Sequence, residues 1–403
     1  MFRLLIKMAF INLWRRRSRS LMLIALIALG LGALLFMVSL YDGMMRQMID
    51  SALRSDSGHL VVQHKDFRDY RQLDQSIANY AAIVARLEGD PAVAGVSVRL
   101  KNEGLISTAR HSQSVEIIGI DPAREQRFGQ LGGFITQGEY RLNKGEAILG
   151  AQLAEKLRAE IGSRVIVSVQ SADKSIQSAA FKISGILRAN NVYIDKQSLF
   201  VPYAEAERIF GVSGQASQIA VMLKNSDEVM IAKARFAAGL DENLRLYDWL
   251  EFYPLIAQSL DAVDIFYLIS YGIVFLVVAL GIFDVVLLSV LERVREFGIM
   301  MAVGTPFWSV AALVILESVA VGLLGFAAGA ALGTLLLLYF NIYGLDFGTS
   351  MEDFGFARTV YTPIEPGYYA TALIAVLIAT VLAALIPVRV LAKLKPVEAI
   401  RFN

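Results

Sequence analysis

The chain has 403 residues, 56% of them hydrophobic and 19% charged, with a formal net charge of +1 and a mean hydropathy of +0.52. Soluble chains of this length are rarely so apolar, so a membrane protein is expected, and the near-neutral balance points to no nucleic-acid partner. Without cysteine the sequence offers no disulfide and no thiolate metal site.

In chain order, residues 1–20 are basic: Arg3, Lys7, Arg15, Arg16, Arg17 and Arg19 stand there with no acidic residue. Leu21 to Leu40 (21–40) then supplies the ~20 mostly apolar residues that cross a bilayer. The run is longer than a secretory h-region and leads into Tyr41-Asp42-Gly43, not a small-x-small cleavage site. It reads as an uncleaved signal anchor, with a cleaved signal as the alternative. Met44, Met45, Met48, Ile49 and Ala52 recur at helical spacing, so this first membrane helix is expected to continue past the bilayer.

Residues 41–264 form a polar insert long enough for its own core. Strands are expected at GHLVVQ near Leu60, VAGVSVRL near Val96, VEIIGI near Ile117, RVIVSVQ near Val167, FKISGIL near Ile183 and QIAVML near Val221. Helices are expected at Ile77 to Leu87, Gly150 to Arg158 and Ala204 to Phe210, and Asp121-Pro122 reads as a turn. The insert is therefore α+β, with a strand-rich subdomain expected near 121–215. Tyr247 to Asp264 leads into the next span as a second helical extension, with a kink expected at Pro254.

Three more spans follow, at 265–290, 307–340 and 368–386, separated by a segment at 291–306 and a loop at 341–367. In the 291–306 segment, Leu291, Val294, Phe297, Gly298 and Met301 share one helical face and Glu292, Arg293, Arg295 and Glu296 the other. That pattern fits an interfacial helix or an ordinary membrane-surface loop. Gly304 suits its stop, and Thr305-Pro306 suits the start of the next helix. The tail at 387–403 carries Arg389, Lys393, Lys395 and Arg401 against Glu398 alone, whereas the 341–367 loop carries Asp346, Glu352, Asp353 and Glu365 against Arg358. By the positive-inside rule both termini and the 291–306 helix are cytoplasmic, and the large insert is external.

No catalytic pattern is present. The sequence has no GxxxxGK[ST] loop and no GxSxG elbow, and its histidines, His59, His64 and His111, lack metal-site spacing. No cofactor, metal or catalytic residue is expected on this chain. Gly325, Gly329 and Gly333, extended upstream by Gly322, leave a flat face for helix packing. Asp284 and Glu317 are ionisable residues in apolar sequence, read either as a polar contact between helices or as side chains snorkelling to the interface. If the apolar faces around Met48 and Ile256 extend above the bilayer, they need an apolar partner such as a lipid anchor.

The run GIFDVVLLSVLERVREFGIMMAVGTP, the ending PVRVLAKLKPVEAIRF, and the opening AFINLWRRRSRS before a span that ends in LYDGM resemble the FtsX-like permeases of ABC transporters, the class of MacB, LolC and LolE. The resemblance implies four transmembrane helices with a large MacB-like α+β periplasmic domain between the first two, in a multi-pass protein of the bacterial inner membrane. It also implies a chain that is not an enzyme, working beside a second permease copy or related permease and a cytoplasmic ABC ATPase pair that binds the ATP. Glu292, Arg293, Arg295, Glu296, Gly298 and Gly304 match the family's ATPase-coupling helix, whereas Asp284 stands where asparagine is expected in MacB-like members. The insert's size and SGHLVV look closer to the lipoprotein-releasing LolC/LolE branch, implying a lipoprotein substrate and a periplasmic carrier. MacB-like export of peptides, antibiotics or lipids is the second reading, and FtsX-like activation of cell-wall hydrolases the third.

Overall fold

A computed structural model describes Met8 and residues 17–67, 73–348 and 356–392. Several sequence expectations lie outside the described residues: Arg3, Lys7, Arg15 and Arg16, the acidic pair Glu352 and Asp353, the tail from Lys393 onward, and most of the opening string AFINLWRRRSRS.

The chain divides into two units, one of residues 1–44, 261–346 and 359–403, the other of residues 45–260 and 347–358. In chain order the helices are α1 (Arg17–Ala52), α2 (Tyr80–Glu88), α3 (Pro122–Phe128), α4 (Ala151–Leu157), α5 (Val192–Gln197), α6 (Tyr203–Phe210), α7 (Val229–Ala237), α8 (Trp249–Phe252), α9 (Pro254–Glu292), α10 (Val294–Ala302), α11 (Phe307–Tyr343) and α12 (Pro366–Ala392).

Among the described residues the first unit is helical apart from one short strand pair, Leu345–Asp346 with Thr359–Val360. α1, α9, α11 and α12 are each long and apolar enough to cross a membrane, and they contain the four apolar runs at 21–40, 265–290, 307–340 and 368–386. The helical extension expected over 247–264 is interrupted at Pro254: α8 ends at Phe252, Tyr253 leaves helical geometry, and Pro254 is the first residue of α9, where a missing N–H costs nothing.

In the second unit, β1 (Leu60–His64), β3 (Val93–Ser107), β4 (Ser112–Ile120), β5 (Ile135–Gly138), β6 (Glu146–Gly150), β7 (Arg164–Gln170), β8 (Ile176–Leu187), β9 (Ser198–Pro202), β11 (Gln218–Leu223) and β12 (Leu244–Asp248) make one sheet. Its order is β12-β1-β11-β3-β4-β9-β6-β8-β5, with β7 pairing β3 and β8. The two short strands β2 (Ile77–Ala78) and β10 (Gln215–Ala216) pair separately. The stretch 121–215 supplies β5 to β9, which continue this sheet through the parallel pairing of β9 with β4.

Successive side chains explain the unbroken apolar runs. Ile117, Leu149 and Leu199 enter one buried cluster with Phe181 and Phe210, while their neighbours Ile118, Ile148 and Phe200 enter another with Leu131 and Ile194. A strand covered on both faces needs apolar residues at every position. A third cluster packs Val84 and Leu87 of α2 and Phe236 of α7 onto Val62, Ile219 and Val221.

Two local readings are corrected. The helix expected from Ile77 starts at Tyr80, because Ile77 and Ala78 pair with β10 and Asn79 sits at φ 53 in left-handed geometry that stops a helix. Asp121-Pro122 is a helix start: the Asp121 carboxylate accepts the Ala123 amide at 2.9 Å and the Arg124 amide at 3.3 Å, with proline at the first position.

Candidate functional site

The segment between α9 and α11 is built around a break. α9 ends at Glu292, Arg293 leaves helical geometry, and α10 restarts at Val294. The helix is thus shorter than 291–306, and the faces differ from the single-helix reading. Val294, Phe297 and Gly298 are buried, but Leu291 belongs to α9 and is 45% exposed. Arg293, expected outside with Glu292, Arg295 and Glu296, turns inward. The break shifts residues 291–293 out of phase with α10.

Arg293 Nη1 donates to both carboxylate oxygens of Glu317 at 3.1 and 3.2 Å, its Nε donates to Glu296 at 3.0 Å, and its guanidinium lies over the Phe297 ring at 4.8 Å. Its side chain is 13% exposed and that of Glu317 18%. Glu317 stands roughly three turns into α11, short of the helix centre, where an unpaired charge costs less than the about 2.5–3.5 kcal/mol of a central position. The guanidinium meets that cost and ties α10 to α11. Arg19 of α1 donates to Glu292 at 3.2 Å, linking α1 to the end of α9. Around these pairs lies a cavity of about 150 Å³, lined by Arg19, Leu23, Ile282, Val286, Arg293 and Glu317 among others.

Beyond α10 the Thr305 amide bonds Met300 and Gly304 adopts φ +102, which only glycine takes without strain. Ile299, Val303 and Trp308 are exposed beside the exposed Arg295 and Glu296. Asp284, the other ionisable residue in apolar sequence, lies on an exposed face of α9, apart from the Arg293–Glu317 pair.

The α11 glycines face two neighbours. A β-carbon at Gly325 would meet Ile27 at 2.7 Å, one at Gly329 the Ala28 backbone at 3.0 Å, and one at Gly333 Leu35 at 2.9 Å, all on α1. Gly322, expected to extend the same face, meets Thr380 and Val376 of α12 instead. Met48 and Ile256 belong to the 45–260 unit and are both half-buried.

Sequence reasoning missed a cluster in that unit. Asp56, Arg99, Lys101 and Glu125 are all buried and form ion pairs with one another. Burial alone would raise the Asp56 carboxyl, but Lys101 and Arg99 hold it well below the usual carboxylate range. No short motif joins residues this far apart. The only signal was charge within apolar β3, at Arg99 and Lys101.

The chain matches the family described as the MacB-like periplasmic core domain over residues 20–238, and the FtsX-like permease C-terminal family over residues 268–396. It is 24% identical over 329 residues to the lipoprotein-releasing system transmembrane protein LolC of Neisseria meningitidis, covering 78% of this chain and 75% of that one. It is 25% identical over 379 residues to the macrolide export ATP-binding/permease protein MacB 1/2 of Paracoccus denitrificans, covering 89% of this chain but 53%, about half, of that protein. An uncharacterized ABC transporter permease of Bacillus subtilis, YvrN, is 24% identical over 83% of this chain and 88% of its own length. With four membrane-length helices and the large α/β unit between the first two, the chain belongs to the FtsX-like permeases of ABC transporters, in the class that carries a MacB-like periplasmic core domain.

Proposed function

We propose that the chain is the permease of a transporter in which a cytoplasmic ABC ATPase pair docks on α10 and drives lipoprotein extraction from the inner membrane, beside a second permease copy or a related chain. The observation that carries the ATPase reading is the α10 surface. Its inner side is fixed by Val294, Phe297 and the Arg293–Glu317 pair, while Ile299, Val303 and Trp308 stand exposed next to Arg295 and Glu296. An exposed tryptophan and aliphatics ringed by charge form the kind of patch that partner proteins cover. In this reading α10 and both termini are cytoplasmic and ATP stays on the partner.

The lipoprotein reading is supported by a LolC alignment that spans three quarters of both chains, and it calls for a periplasmic carrier. Macrolide or peptide export, favoured by the MacB alignments, is the second reading. Photo-crosslinkers at Met48 and Ile256 test between them. Capture of acylated proteins, altered when the partner ATPase is inactive, is the expected result. Capture of small exported molecules instead moves the assignment to MacB-like export, and capture of a cell-wall hydrolase moves it to FtsX-like activation. For the ATPase site, Arg295→Glu and Val303→Asp are expected to abolish co-purification of the ATPase while the permease stays folded. Glu242→Lys, an exposed charge elsewhere, is the control. Retained ATPase in both α10 variants would end the docking assignment.

A further inference from the structure

The two segments by which the chain enters and leaves the sheet of the 45–260 unit converge on one carboxylate. α1 finishes in a π-helical turn, Leu53–Ser57, a wide turn that re-aims side chains and recurs at functional positions. Here it puts Asp56 inside, 4% exposed. Oδ1 of Asp56 accepts from Arg99 Nη1 at 2.9 Å and from Lys101 Nζ at 2.7 Å, both on β3. Oδ2 accepts from the hydroxyl of Tyr253 at 2.8 Å, and Tyr253 is the residue before α9.

The entry turn is seated tightly. A β-carbon at Gly129 would overlap the Arg54 carbonyl, and one at Gly58 would lie 2.5 Å from the Val221 carbonyl oxygen. Gln218 Nε2 donates to the Asp56 carbonyl at 3.3 Å, and Asn191 Nδ2 to the Ser55 hydroxyl at 3.2 Å. On the exit side the Trp249 amide donates to the His59 carbonyl at 3.2 Å, and Asp248 pairs with Leu60. On the far side of Arg99, Glu125 takes its second Nη and the Ser97 hydroxyl. Two cations and two carboxylates already balance without Tyr253, so the tyrosine adds no charge compensation. What it adds is a direct bond from the exit segment to the entry turn.

We propose that Asp56 is the pin of a joint that fixes the entry segment, residues 53–57, and the exit segment, residues 249–256, to the same point on β3, so that the two move as one piece. Charge-assisted hydrogen bonds in a dry interior are short, strong and directional, which is what a stiff joint requires. The joint needs only this fold. Its use in carrying an ATP-driven stroke rests on the proposed function.

The absence of native cysteine allows spin labels in the full-length chain at Arg46→Cys and Gln258→Cys, and the distance distribution between them reads the joint without ATPase or substrate. The parent is expected to give one narrow distribution, and Tyr253→Phe and Asp56→Asn are each expected to broaden it about two-fold or more. Tyr203→Phe removes another tyrosine hydroxyl, bonded to the Gln215 carbonyl, and should leave the distribution narrow. Tyr253→Phe keeps every charge paired, so it carries the test even if Asp56→Asn fails to fold. A Tyr253→Phe distribution as narrow as the parent's, or equal broadening in Tyr203→Phe, would overturn the joint. Capture of no lipoprotein at Met48 or Ile256 would count against the proposed function and leave this result standing.

Discussion

Removing the Arg99 guanidinium would leave Asp56 and Glu125 buried without their shared partner. Breaking a buried ion network on one side typically costs about 3–5 kcal/mol, because the remaining charge stays desolvated. Arg99→Met is therefore expected to destabilise the 45–260 unit by about that much, measured by hydrogen exchange of the β3 and β4 amides in the full-length chain. Two carboxylates set opposite pH dependences. Asp56 is held below its ordinary 3.8, so its contribution is complete above about pH 4 and is lost as pH falls through its lower folded value. Burial pushes Asp195 up to about 6, despite the Ala189 amide it accepts at 2.7 Å. Its contribution is complete below 3.8 and is lost as pH rises through 6. At roughly 1.4 kcal/mol per pH unit, stability should fall by about 3 kcal/mol from this one group between pH 4 and 6. Asp195→Asn should flatten that slope in unfolding curves taken across the range, and an unchanged slope would show that another group sets it.

Among elements, α11 depends on its small residues. A β-carbon at Gly329 would stand 2.9 Å from Leu31 and 3.0 Å from the Ala28 backbone, distances at which α1 must move away. Overpacking a tight contact costs about 1–3 kcal/mol. Gly329→Ala should lower the thermal unfolding temperature of the detergent-solubilised protein, with Gly329→Leu worse. Gly272→Ala in α9, where a β-carbon meets open space, should be neutral or slightly stabilising. Equal effects at both positions would mean that glycine flexibility, not close approach, is what matters in α11. The 291–306 segment shows where helical periodicity stops being a guide. A wheel drawn through Leu291 to Met301 assumes one uninterrupted helix, and the break at Arg293 sends Leu291 outward and Arg293 inward. At the break Arg293 reaches Glu317, a half-buried carboxylate on the following helix, a contact that a wheel drawn through one helix does not contain.

For the whole molecule, the charge asymmetry gives a testable orientation. Single cysteines at Ser18, Lys174, Val303 and Ser350 have no native thiol background. Ser171, a turn residue that looks suitable in sequence, is buried with its hydroxyl on the Phe210 carbonyl, so Lys174 is the better reporter. An impermeant thiol reagent applied outside the inner membrane is expected to label positions 174 and 350 and to spare 18 and 303. Labelling of 303 with protection of 174 would invert the topology and overturn the proposed docking of an ATPase on α10.

The sequence by itself determined whatever depends on neighbours along the chain. The apolar runs set the four spans by length, and alternation or continuity of β-branched residues set the strands at Leu60, Val96, Ile117, Val167, Ile183 and Val221. Shorter elements escaped: β9 is a five-residue strand that follows α5 with no loop between them, and α3 hides behind a pair that reads as a turn. The tertiary structure alone decided the long-range pairs, Arg19 with Glu292 across 273 residues, Tyr253 with Asp56 across 197 and Arg293 with Glu317 across 24. Periodicity records which face of an element is apolar, because that face repeats every two or four residues. A buried charge carries no such repeat, and its partner is whatever the topology brings within about 3 Å to offset the lost hydration.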